Sequence, residues 1–370
     1  MNNIVFMNKK YKIIRNPNID FLRILGMFAI IIHHLILHGR AINKYNKFKN
    51  NLHLLNIFCM WHVSSFGIIS GLVGNKKHNY SNLLHLWILV VFYSIIIFNI
   101  YKKLAPIFHD NFSKNIFPVI NGNYWYFTAY FGIYPFLNII DIGIINSIQI
   151  ELKKTIYFIV GIFIIWASYY RDKFKQSGGY SPFSLLNFYI LGAYIGKYIF
   201  YKNLPISYKY LICIICFIIF SLISIICYLI NIKNYFSEMD LHLKAVFRIG
   251  INSFPMLLQV ISLTIFISQV KFNKYVSKIV TFLGPLTFDV YIIHENKYIR
   301  KNVIGKLFNN QKNHISLFNV YFSIYKKSFY LFNICIFIAY IRNLFFKFIK
   351  IKNICSNFES FISKLINYFI

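Results

Sequence analysis

The sequence predicts an all-α fold: a polytopic transmembrane helix bundle with no separate soluble domain. Three observations predict it. Apolar residues make up 58% of the 370 residues, and mean hydropathy is +0.54, well above a water-soluble domain. The apolar residues fall in runs of about 20, the length that crosses a ~30 Å hydrocarbon layer at about 1.5 Å per residue. Aromatic residues are 20% of the chain, and Tyr at the span ends suits an interfacial belt.

Taken in order, about ten spans are expected, at roughly 19–38, 54–73, 83–101, 124–141, 156–170, 183–201, 208–231, 250–270, 279–295 and 328–348. Residues 1–18 read as a basic cytoplasmic tail, 19–348 as the transmembrane domain and 349–370 as a basic C-terminal tail. The two longer loops are 102–123 and the Lys- and Asn-rich 296–327, which has the scattered apolar positions of a surface-lying helix. Lys9, Lys10, Lys12 and Arg15 place the N-terminus in the cytoplasm, although lysine elsewhere divides nearly evenly between the two sides. The polar, basic first 18 residues and the lack of a small-residue cleavage site argue against a signal peptide.

Charge and cysteine content exclude other classes. Lys plus Arg total 40 against 10 Asp plus Glu, yet no soluble nucleic-acid module is readable, so no nucleic-acid partner is expected. Basic loops beside spans suit anionic headgroups of the lipid bilayer or a phosphate-bearing substrate. Cys213 and Cys216 form a C-x-x-C inside an apolar helix without a partner pair, which disfavours zinc or redox chemistry.

The first span, IDFLRILGMFAIIIHHLILHGR, carries Asp20, Arg23, His33, His34 and His38. Ionisable groups at mid-membrane cost about 2.5–3.5 kcal/mol each on insertion scales, so they mark function or pairing. At about 100° per residue, the step from Arg23 to His34 advances about 1100°, only about 20° past three turns. The two share a helix face about 16 Å apart along the axis, and His38 extends that face by a turn. Asp20 sits one turn before Arg23 and can pair with it. Snorkelling and interfacial placement explain Arg23 and His38 well and His33 poorly, while His34, about one turn inside on the face of Arg23, favours function over a bland role. A metal site on His33, His34 and His38 lacks a completing carboxylate in this stretch, and no metal is expected.

Later spans add fewer candidates. Ser70-Gly71 suits close helix approach better than nucleophilic chemistry. His62 is a second intramembrane histidine, catalytic or structural. Lys76 and Lys77 could hold phosphates or simply obey the positive-inside rule. Trp125 and Tyr126 read as interface anchors or as a stacking platform for a sugar ring. In FDVYIIHENKYIR, Asp289 is the most deeply placed acid, open to a salt bridge with a basic residue such as Arg23 or Arg248, to tuning His34, or to a substrate role. His294 and Glu295 mark the span's exit, and Arg300 follows.

Arg23-(ten residues)-His34 resembles the Arg/Lys-x10-His motif of the membrane-bound acyltransferase-3 family. FGIISGLVG (66–74) is similar to the family's second-span signature. NLLHLWILVVFYSIII, YWYFTAYFGIYPFLN, FYILGAYIGKY, NSFPMLLQVISL and TFDVYIIHENKYIR resemble later family blocks in the same order, over about residues 16–300. The likeness is greatest to stand-alone members that O-acetylate bacterial surface polysaccharides.

The resemblance implies an integral O-acyltransferase of a bacterial cytoplasmic membrane. It would move an acyl group, acetyl by expectation, from cytoplasmic acyl-CoA to a hydroxyl of a cell-surface or lipid-linked glycan. His34 would be the catalytic histidine. Arg23 would be the motif's basic residue, catalytic or phosphate-holding, with Lys76 and Lys77 as further acetyl-CoA contacts. His38, Trp125, Tyr126, Asp289 and Glu295 are the expected acceptor contacts. Polysaccharide assembly proteins are the expected partners. The chain lacks the extracytoplasmic hydrolase-like domain of some members, so transfer is expected to finish within the bundle or on another protein. A glycan or small-anion transporter is the alternative, but it would call for two related halves with broken helices, and no internal repeat is visible. A glycan polymerase would call for a large external loop, and an inactive scaffold need not keep Arg23 and His34.

Overall fold

The computed structural model describes residues 15–74, 78–104, 112–140, 179–196, 206–232, 250–251, 253–309 and 316–369. Among these residues the regular elements are all helical: α1 (Pro17–Leu37), α2 (Ala41–Lys44), α3 (Lys49–Cys59), α4 (His62–Val73), α5 (Tyr80–Leu104), α6 (Ser113–Ile116), α7 (Trp125–Ile140), α8 (Pro182–Ile195), α9 (Ile206–Ile232), α10 (Phe254–Gln269), α11 (Lys274–Leu283), α12 (Thr287–Glu295), α13 (Lys297–Asn302), α14 (Leu317–Phe348) and α15 (Ile351–Phe369).

α1 starts where its sequence says it should. The Asn16 side chain accepts from the Asn18 amide, Pro17 presets the first turn, and Asp20 lies where the helix dipole favours an anion. Leu22, Ile31, Leu35 and Ile36 are completely buried, because α1 is the central post, packed against α3, α4, α10, α11, α12 and α14.

Six helical stretches among the described residues are long and apolar enough to cross a membrane: Pro17–Leu37, Asn46–Val73, Tyr80–Leu104, Leu211–Ile230, Lys274–Glu295 and Leu317–Phe348. Pro182–Ile195 and Phe254–Gln269 are shorter apolar helices, and α7 covers the expected span at 124–141. The expected span at 156–170 lies outside the described residues.

Three span boundaries need correcting. The second span begins well before residue 54 and breaks between α3 and α4. The ninth begins at Lys274 and breaks at the 3-10 turn Gly284–Leu286, where Pro285 interrupts the helix. The last begins at Leu317 and not at 328, so the final third of the expected 296–327 loop belongs to this long helix. Lys327, in this stretch, donates to the Leu307 carbonyl. The expected tail at 349–370 contains an amphipathic helix, α15, packed on α5, with Glu359 accepting from the Tyr80 amide at 2.8 Å.

Two contacts fix the bundle around the site. α4 and α8 touch backbone to backbone: a Cβ at Gly71 would lie 1.9 Å from the Tyr189 carbonyl oxygen, and one at Gly192 would lie 2.0 Å from that of Ile68. This is the close approach that small residues permit within a membrane. Across the bundle, Arg342 on α14 donates to Asp289 on α12 through Nε at 2.7 Å and also through its Nη2. The Tyr93 hydroxyl on α5 donates to the same carboxylate oxygen at 2.8 Å.

Candidate active site

Arg23 and His34 line one cavity of about 850 Å³. Between them, Met27 and Ile30 continue the same stripe of α1, with Ile19 below. The 3.6-residue repeat thus makes one helix face the floor of a channel about 16 Å long between its two ionisable ends.

At the Arg23 end, Asp20 is fully buried and accepts from two guanidiniums. Arg23 Nη1 lies 2.7 Å from its Oδ1, and Arg15 pairs with both oxygens. Arg15 also lines the cavity. Two cations around one anion leave a net positive charge, and each guanidinium has more N–H donors than Asp20 can use. The turn before α12 closes over this group: a Cβ at Gly284 would lie 2.5 Å from the Asp20 Oδ1.

At the His34 end, a hydrogen-bond chain sets the tautomers. His294 Nδ1 is 2.6 Å from the Val290 carbonyl, which can only accept, so Nδ1 carries the proton and Nε2 is a bare acceptor. His34 Nδ1 lies 3.0 Å from that Nε2, so His34 donates through Nδ1. The basic nitrogen of the neutral His34 ring is therefore Nε2. The Glu295 Oε2 also lies 3.0 Å from His34 Nδ1, at ion-pair distance, and Arg300 holds Oε1 at 2.5 Å. A proton gained at Nε2 would make an imidazolium that faces a carboxylate fixed beside it. This is the arrangement of a general base with an orienting acid.

Aromatic rings form the upper wall: Trp125, Tyr126 and Tyr130 from α7, and Phe288 and Tyr291 from α12. His62, the first residue of α4, also lines the cavity, and its ring sits 5.0 Å from that of His33. Both ring nitrogens of His62 are buried without a hydrogen-bond partner among the described residues, and the buried Tyr291 hydroxyl, near the donating Tyr126 backbone N–H, has no acceptor there for its own proton. Leaving such groups unmet costs about 1–3 kcal/mol each.

The structure gathers some expected site residues and disperses others. Arg23, His34, Trp125 and Tyr126 share the cavity, and Glu295 meets His34 from behind. His38 is exposed at the end of α1, its ring 5.0 Å from that of His34, and it does not line the cavity. Lys76 and Lys77 lie outside the described residues, as does Arg248. Asp289 does not line the cavity: its partners are Arg342 and Tyr93, in place of the expected Arg23 or Arg248.

Sequence reasoning missed Arg15, Tyr130, Tyr291 and the relay role of His294. Tyr130 follows Tyr126 by four residues and Tyr291 precedes Glu295 by four, so helical spacing could have found both. The sequence argument against metal, that no carboxylate completes the histidines, also changes. Ligating atoms of His34, His294 and Glu295 lie within 4.8 Å of one another, a donor set able to hold a transition metal. The same atoms are already engaged with one another in the relay described above.

A family model described as an acyltransferase domain matches residues 16–341, most of the chain. No curated protein and no solved structure matches it. The match takes in α1, the cavity walls and the His294–Glu295 pair, and the apolar helices set all of them within a membrane bundle. The chain thus belongs to the acyltransferase-3 family and is a multi-pass membrane acyltransferase.

Proposed function

We propose that this protein transfers an acyl group, acetyl by preference, from acyl-CoA to a hydroxyl of a cell-surface or lipid-linked glycan, and that it does so in a bacterial cytoplasmic membrane. One observation carries the reading: a single cavity joins a net-positive arginine pair at one end to an oriented imidazole at the other. That layout fits a long donor with phosphates at one end and a reactive carbonyl at the other. Arg15 and Arg23 would bind phosphate through charge-assisted hydrogen bonds. His34 Nε2 would take the proton of the attacking hydroxyl and return it to the departing thiolate. Glu295 would stabilise the imidazolium between those steps. Trp125, Tyr126 and Tyr130 offer ring faces to the acceptor sugar.

The test is mass analysis of surface polysaccharide from cells expressing the intact protein or His34→Ala at equal level. The expected result is an acetyl mass increment with the intact protein only. An increment that persists in His34→Ala would remove His34 from the mechanism. No acyl group in any glycan fraction, together with a glycan or acid that accumulates inside the deletion strain, would favour a transporter.

A further inference from the structure

We infer that the His62 ring N–H and the Tyr291 hydroxyl form the oxyanion hole of this enzyme, receiving the thioester carbonyl oxygen as it gains charge. The inference rests on the acyl-CoA reading above and extends it to two residues that the general-base relay leaves unused.

Three observations converge. First, both residues line the cavity that His34 lines. Second, both are almost fully buried, His62 3% and Tyr291 5% exposed; the His62 ring finds no hydrogen-bond partner among the described residues, and the Tyr291 oxygen, which accepts from the Tyr126 backbone N–H, has no acceptor for its own proton there. A neutral imidazole carries one N–H and a phenol one O–H, so the cavity holds two idle donors. Third, both are held in place by packing. The His62 ring lies 5.0 Å from that of His33. Tyr291 is flanked by Tyr124 and Tyr126, each at 6.2 Å, and by His294 at 6.3 Å. Tyr291 stands one turn before His294 on α12, so the relay that orients His34 and the Tyr291 donor belong to one helix.

Two fixed donors beside a base are what acyl transfer requires. The acceptor oxygen bonds to the carbonyl carbon while its proton passes to His34 Nε2. The carbonyl π pair moves onto oxygen, where two preorganised, buried donors stabilise it most in the transition state. When the carbonyl re-forms, the carbon–sulfur bond breaks and the thiolate takes the proton from His34. His62 and Tyr291 keep their own protons throughout. The pair is built for a group absent from the resting protein, which is why both donors stand unmet beforehand. Unsatisfied groups of this kind in a native site mark stored capacity for function.

The test uses the full chain in detergent micelles with acetyl-CoA. Free thiol release gives the rate, and equilibrium dialysis of labelled acetyl-CoA gives the affinity. Tyr291→Phe removes only the hydroxyl. His62→Leu removes the donor, and His62→Gln keeps an N–H. Expected are losses of about 10²–10³-fold in rate for Tyr291→Phe and His62→Leu, partial recovery in His62→Gln, and Kd for acetyl-CoA within about twofold of the intact protein. Thermal midpoints should stay level or rise, because an unpaired polar group is removed. Tyr291→Phe is nearly isosteric and carries the test should His62→Leu fail to fold. Intact rates in Tyr291→Phe and His62→Gln would overturn the inference. So would affinity lost in step with rate, or a lowered midpoint that accounts for the lost activity. An intact chain that releases no thiol while still acylating glycan from another donor would fell the acyl-CoA reading and this inference with it.

Discussion

Replacing Glu295 with Gln isolates one electrostatic effect. Gln keeps the shape, and His294 Nε2 still accepts from His34 Nδ1–H, so the tautomer survives and only the charge is lost. At the observed 3.0 Å and an effective dielectric of about 20, carboxylate and imidazolium attract by roughly 332/(20 × 3.0), about 5–6 kcal/mol. Arg300 on the other carboxylate oxygen offsets part of this, but its side chain is 41% exposed and solvent screens it. A net loss of about 3–5 kcal/mol in stabilising the protonated base corresponds to a roughly 10²–10⁴-fold slower transfer. The assay is thiol release from saturating acetyl-CoA, run beside His34→Ala and the double variant. Acetyl-CoA affinity should hold, and the double variant should be no slower than His34→Ala alone, because the two residues act as a unit. A Glu295→Gln protein that keeps a third or more of the rate would refute the paired general-base reasoning.

Other predictions follow from the same geometry. Arg23→Ala should weaken acetyl-CoA binding by about tenfold or more, whereas Arg23→Lys should keep part of it, since a point charge replaces a planar fork; equilibrium dialysis reads both. Arg342→Ala strands a buried carboxylate and should lower stability by about 3–5 kcal/mol, seen as a reduced detergent unfolding midpoint, with Asp289→Asn in the same chain restoring part of it. Gly71→Val drives a side chain into the α8 backbone and should lose about 3 kcal/mol or more, whereas Gly132→Ala, whose Cβ would meet Pro182 Cγ at an ordinary 4.0 Å, should be mild on the same melting curve. Dialysis against a strong chelator should leave thiol release unchanged, because the His34–His294–Glu295 atoms are engaged with one another; loss restored by a single metal would reassign the trio.

Much of the architecture was legible because a membrane imposes a length. Runs at 19–38, 83–101 and 208–231 become helices with nearly the expected ends. Helix breaks were less legible. Residues 60–61 and 284–286 lie inside apolar stretches, where averaging over a span hides a local turn. The face shared by Arg23 and His34 follows from helical period alone, and the cavity sits on it. The partners of Asp289 and Glu295 do not follow from any period. Arg342 meets Asp289 from a helix 53 residues away, and His34 meets Glu295 across more than two-thirds of the chain. Such pairings belong to the packing of helices, which a single sequence does not state. The Lys- and Asn-rich composition of 296–327 also hid where the last long helix starts, since α14 already runs from Leu317 through Lys326 and Lys327.

The Asp289–Arg342 pair also sets terms for how the chain is made. α12 emerges from the ribosome before α14, carrying a carboxylate that lipid alone would penalise, and α14 arrives later with a guanidinium under the same penalty. Neither helix is at rest in the bilayer until the other is present. A ribosome that stops short of Arg342 leaves an unneutralised acid inside the membrane, a mark by which quality-control proteases can tell an unfinished chain from a complete one.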